Sequence, residues 1–149
     1  MDLGGQFAWI FHAYSRRIMG YAIADNMNTK EMKMAYQMAI SERVHPSEKL
    51  VHHSDRGLQY CSSEYVRLSK ENNISISMTE NGDPYVNALA ERMNRTLKDE
   101  FGLGRRLPSK QQAFRLAIEA INLYNHKRPH LSLNMKTPNC VHLQKIPAT

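Results

Sequence analysis

Two carboxylates stand in settings that could do chemistry. Asp55 lies in HHSDRGLQY (His52 to Tyr60) and Glu91 in NGDPYVNALAERMNRTLKDEF (Asn81 to Phe101), with 35 residues between them. Acidic side chains brought together from distant positions hold hard divalent cations through oxygen. A pair of such cations drives in-line phosphoryl transfer, activating one oxygen and stabilising the one that leaves. Arg92, Arg95 and Lys98 follow Glu91 closely. On a helix, Arg95 and Lys98 lie one and two turns past it, where they would hold a phosphate backbone beside the metals. Spacing alone leaves another possibility open, in which Asp55 caps a turn and Glu91 pairs with Arg95 at i, i+4.

Elements that would position these residues can be read along the chain. The apolar runs Phe7 to Phe11 and Ile18 to Ala24 predict two strands joined by a short turn. Asn28 and Glu31 form a helix-start signal for a helix over about 29–42, with Met32, Ala35, Tyr36 and Ala39 on one stripe. Leu50 to His53 reads as a short buried strand. Asp55 falls just beyond its C-terminal end, where open α/β sheets bind ligands. A helix capped by Ser62 or Ser63 runs to about Asn72, and Ile74 to Met78 alternates as a half-buried strand.

The loop Thr79 to Asp83 leads into a helix with Asp83 as N-cap and Pro84 at the first position. Tyr85, Leu89, Met93 and Leu97 form its expected apolar stripe; Asn87, Glu91, Asn94 and Lys98 share another face. Gly102 and Gly104 stop it. Ser109 and Gln112 make a capping box for the next helix, with Phe114, Ile118, Ile121 and Tyr124 as its stripe and Pro129 as its end. Residues 129–149 read as an irregular tail, and about 6–128 as the core of a single domain.

The order strand, strand, helix, strand, helix, strand, helix, helix predicts a mixed α/β layer. At 149 residues the chain suits one domain with a real core. It has no apolar run long enough to span a membrane, and its start lacks the basic region of a signal peptide. Two cysteines far apart argue against a disulfide scaffold. A cytoplasmic protein is expected. The formal net charge is +6, and the segment from Glu91 to Arg128 holds nine basic residues against four acids. That distribution suits a polyanionic partner, although a solvated basic helical face would look the same.

Three motifs carry a resemblance. HHSDRGLQY, PYVNALAERMNRTLKDEF and YNHKRPHLSL (Tyr124 to Leu133), with HAYSRRIMGY before them, resemble the C-terminal half of insertion-sequence transposases with a retroviral-integrase-type core. The resemblance covers about Phe7 to His142. It implies a ribonuclease H-like mixed sheet flanked by helices. It also implies a triad of two aspartates and a glutamate holding two Mg²⁺ or Mn²⁺ ions, and DNA transposition and integration by strand cleavage and transfer.

Asp55 then matches the second aspartate and Glu91 the glutamate, as catalytic and metal-binding residues. Arg92, Arg95, Lys98, Lys127 and Arg128 are expected at DNA, with element ends and target as partners. A homo-oligomer, or assembly with an intact transposase, follows. The Tyr124, Asn125, Arg128, Pro129 and His130 pattern is a hallmark of the family. Two positions depart from the common pattern: His12 stands where these transposases commonly carry Asp, and Val86 replaces a frequent acidic residue.

In the family the leading aspartate sits on a central strand upstream of the hairpin, before Met1 in this numbering. The expectation is therefore a partial catalytic core, lacking that strand and carboxylate and inactive by itself. Other readings compete. The chain could serve as a non-catalytic DNA-binding or assembly module, or as a ribonuclease H-like nuclease. His126, His130, Cys140 and His142 also offer a zinc-like set, but Pro129 interrupts the helix between the first two.

Overall fold

The structure is a computed structural model that describes residues 6–24, 29–44, 46–53, 63–77, 84–104 and 109–144. β1 (Gln6–Phe11) and β2 (Ile18–Ala24) form an antiparallel hairpin, with Gln6 opposite Ala24 and a register shift at Ile10/Phe11. β3 (Leu50–His53) pairs in parallel with β4 (Ile74–Ser77). Among the described residues five α-helices surround them: α1 (Thr29–Ser41), α2 (Ser63–Glu71), α3 (Pro84–Asp99), α4 (Lys110–His126) and α5 (Pro138–Leu143). Among the described residues the two sheets are separate ladders of two strands each, so β1 and β3 each keep one edge outside any ladder.

Strand alternation builds two cores. Phe7, Trp9 and Phe11 of β1 pack with Met93 and Leu97 of α3 and Ala117, Ile121 and Tyr124 of α4. Ala8 and Ile10 face the other way, joining Met32 and Tyr36 of α1, Tyr65 of α2, and Leu50, Ile74 and Ile76 of the second sheet. The α1 stripe is buried as its spacing predicts. Tyr36 donates to or accepts from Ser69 at 2.7 Å, so the hydroxyl carried into this core is paired.

Three expectations need correction. Phe114 and Ile118 are exposed, at 48% and 40%, while Ala113, Ala117, Ala120, Ile121 and Tyr124 are buried. An alanine-lined face lets α4 lie close to the hairpin, and the bulky neighbours turn outward. Tyr85 is 61% exposed, so the buried stripe of α3 begins at Leu89. The tail is not irregular either: a 3-10 turn at Leu131–Leu133 and α5 follow, with Thr137 capping the Cys140 N–H. The Ser109 cap holds, its hydroxyl accepting from Gln112 at 3.2 Å. Gly102 takes φ 73° beyond α3, and the N–H groups of Leu103 and Gly104 bond the last-turn carbonyls of Leu97 and Lys98.

Gly20 marks the closest approach of strand to helix. A Cβ there would lie 2.1 Å from the Ala35 carbonyl oxygen and 3.0 Å from the Ala39 nitrogen, both backbone atoms of α1. Gly20→Ala is therefore expected to cost at least about 1–3 kcal/mol, the usual range for overpacking. A lower urea midpoint would show it; an unchanged midpoint would mean that α1 does not sit on β2 this tightly.

Candidate nucleic-acid and metal site

β3 carries the chain to His53, two residues short of Asp55, which lies outside the described residues. So do the Asp83 cap, Arg105 and Arg106. What is described is the other half of the expected pair. Glu91 is exposed in the middle of α3, a 16-residue helix anchored by buried Leu89, Met93 and Leu97. Among the described residues nothing bonds or pairs with its carboxylate, so the i, i+4 pair with Arg95 is not formed. Arg92, Arg95 and Lys98 are likewise exposed and without a described partner. Asn94, on the same face, accepts from the Trp9 indole at 2.6 Å and ties that face of the helix to β1.

Of the two histidines that open the first motif, the side chain of His52 is described. His52 Nε2 bonds the Tyr65 hydroxyl at 2.9 Å and its ring stacks on Tyr36 at 5.0 Å, which fixes the end of β3 against α1 and α2. The side chain of His53 is outside what is described, as are His45 and Cys61.

The Tyr124 to His130 motif proves to be a clamp. Asn125 is buried, and its amide pairs with both backbone groups of Ile18: Ile18 N–H donates to Oδ1 at 2.8 Å, and Nδ2 donates to the Ile18 carbonyl at 3.0 Å. A side chain thus stands where a neighbouring strand would. Tyr124 is buried edge-on against His130 and Phe101, and burial pushes its hydroxyl up to about 12. Arg128, expected at DNA, spends its fork on Glu100 at 2.6 and 2.7 Å. That hydrogen bond holds the Glu100 carboxyl below its ordinary range. Lys127 stays exposed.

The tail then folds back on the hairpin turn. Ser15, fully buried, bonds His142 Nδ1 at 3.0 Å, and Arg17 donates to Asn139 Oδ1 at 3.2 Å. His12 packs edge-on against His142, and burial, then Arg43, lowers its basicity. Of the zinc-like set, His142 is thus joined to Ser15, His130 is packed on Tyr124, and Cys140 is exposed. Between turn and tail lies a cavity of about 450 Å³, lined by Tyr14, Arg16, Tyr85, Asn134, Lys136 and Gln144 among others. Sequence reading missed it, because its walls come from three segments without a shared spacing.

Residues 5–84 and 72–138 each match the integrase core domain. The transposase of insertion sequence IS904 from Lactococcus lactis is 32% identical over 126 residues, covering 84% of this chain and 49% of that protein. The BIV integrase catalytic core superposes with a TM-score of 0.71 at 19% identity, covering 92% of this chain and 84% of that one. The HTLV-2 integrase catalytic core in complex with magnesium gives 0.63 at 18%, covering 93% of each. The fold is that of retroviral integrase catalytic cores, a ribonuclease H-like architecture. The chain belongs to the integrase core domain family and is similar to insertion-sequence transposases; it spans about half the length of the curated relatives it matches.

Two outcomes follow from the clamp. Asn125→Ala strands the Ile18 N–H and carbonyl in a buried place, at about 1–3 kcal/mol each. A loss of at least about 2 kcal/mol in chemical denaturation is expected, and a loss near zero would refute the clamp. Burial, then Arg128 and Arg16, lowers the His130 imidazole from 6.5 to about 4. Below pH 6.5 the unfolded chain takes a proton that the folded chain refuses, so stability falls from there toward pH 4 and levels beneath. His12 acts with the same sign. The melting temperature should decline across that window, less steeply in His130→Asn; an equal decline in the variant would exclude His130 as a source.

Proposed function

We propose that this chain is the catalytic-core portion of a DNA strand-transfer enzyme of the transposase type. Asp55 and Glu91 serve as its metal ligands and Arg92, Arg95 and Lys98 as its phosphate contacts. The observation that carries the reading is the exposed face of α3, where one carboxylate and three cations stand on a rigid helix without described partners. Oxygen donors of this kind suit Mg²⁺ or Mn²⁺. When bound, such ions activate the attacking oxygen and neutralise charge on the leaving one.

The chain's own residues do the rest. Glu91 offers its carboxylate oxygens from a helix fixed by the Leu89, Met93 and Leu97 core. Arg95 and Lys98 bind the phosphate backbone and set its register along α3. Lys127 extends the basic surface at the far end of α4, whereas Arg128 holds the fold together through Glu100. Assembly with further copies, or with a longer transposase, would bring in the remaining parts of the reaction.

Two measurements test this. Mn²⁺ binding followed by titration calorimetry should be lost in Glu91→Gln; retention would remove Glu91 from the metal site. Affinity for duplex DNA should fall steeply with salt, and Lys98→Ala should flatten the log–log slope by about 0.9. DNA binding that persists without any metal binding would leave a non-catalytic DNA-binding module as the better description.

A further inference from the structure

The cavity between the hairpin turn and the tail has a chemical character that the metal site does not explain. Its volume of about 450 Å³ falls among small-ligand sites, roughly 300–1,000 Å³. Arg16 and Lys136 bring two positive charges to its wall, and among the described residues no aspartate or glutamate lines it. Tyr14 and Tyr85 line it too, exposed at 46% and 61%. Asn134 and Gln144 add amides able both to donate and to accept.

The walls are held rigidly. Arg16 reaches the Tyr85 hydroxyl at 3.1 Å and the Ala13 carbonyl, which joins the hairpin turn to the first turn of α3. Ser15–His142 and Arg17–Asn139 fix the opposite wall. Three of the four non-glycine residues with positive φ are Arg16, Asn134 and Met135. Two line the cavity and the third lies between Asn134 and Lys136. Left-handed backbone at Arg and Met carries a cost that surrounding structure must hold in place.

Two cations, exposed aromatic rings and bidirectional amides together match one ligand chemistry. A phosphodiester takes the cations, a base takes the ring faces, and the base edge takes the amides. We propose that this cavity receives an unpaired nucleotide of a DNA strand, one that a duplex keeps stacked inside. Its location is near: Tyr85 lies six residues before Glu91 on α3, roughly 9 Å along the helix axis and about a third of a turn round it. A strand passing Glu91 and crossing α3 obliquely toward its first turn would reach the cavity with its next nucleotides. The inference rests on the DNA reading above and adds a place and a strandedness to it.

Fluorescence anisotropy with a single-stranded 20-mer and a duplex of the same sequence tests it on the whole chain. Tyr14→Ala combined with Lys136→Ala alters two exposed side chains, and thermal melts would check that the fold persists. Single-strand affinity should fall roughly tenfold or more while duplex affinity changes less than twofold. Lys98→Ala should weaken both. Parental affinity for single strands in the double variant would overturn the cavity proposal, and so would an equal loss on both DNAs. If the unaltered chain binds neither, the DNA reading fails and the cavity proposal with it. Photocrosslinking of a bromodeoxyuridine oligonucleotide gives a second readout: adducts at Tyr14 or Tyr85 support the site, and adducts confined to other segments overturn it.

Discussion

One buried amide governs how this molecule is put together. Asn125 sits at the C-terminal end of α4 and completes both hydrogen-bonding groups of Ile18 at the start of β2. Buried backbone groups must find partners, and here a side chain rather than a described strand supplies them. The amide therefore fixes the rotation of α4, the start of the second strand and the point where the tail departs. The same pin turns Ala113, Ala117 and Ala120 of α4 inward together with Ile121 and Tyr124. Arg128–Glu100 then joins the end of α4 to the end of α3, so the helix bearing Glu91 is held at both flanks.

Sequence made the elements legible because their signals are local. Met32, Ala35, Tyr36 and Ala39 announce one face of α1, Ser109 with Gln112 announces the start of α4, and Ile74 with Ile76 announces β4. Errors arose where two helical stripes compete. Phe114–Ile118 and Ala113–Ala117 lie side by side on α4, and hydrophobicity favours the first while proximity to the hairpin selects the second. The tail misled for another reason. Two prolines in twenty residues suggest irregularity, yet Pro138 is tolerated in the first turn of a helix, where its missing N–H has no partner to lose.

The exposed half of the candidate site was equally legible. A period-four stripe of Leu89, Met93 and Leu97 turns Glu91 outward, together with Arg92, Arg95 and Lys98. The purpose of the Tyr124 to His130 motif was not legible at all. Its residue types suggest surface chemistry, and its geometry is internal: Asn125 mimics a strand, Arg128 neutralises Glu100, and His130 fills space beside Tyr124 as a neutral ring. The cavity was illegible for the same reason, since only folding brings residue 16 next to residues 85 and 136.

Among the described residues β1 and β3 each leave one edge unpaired, and this carries a further consequence. An unsatisfied row of main-chain donors and acceptors attracts any extended polypeptide, another molecule of the same kind included. With six excess positive charges, such molecules repel one another in dilute solution. A polyanion cancels that repulsion while gathering the molecules along its length. A charge that opposes association in free solution would thus be cancelled on such a polyanion.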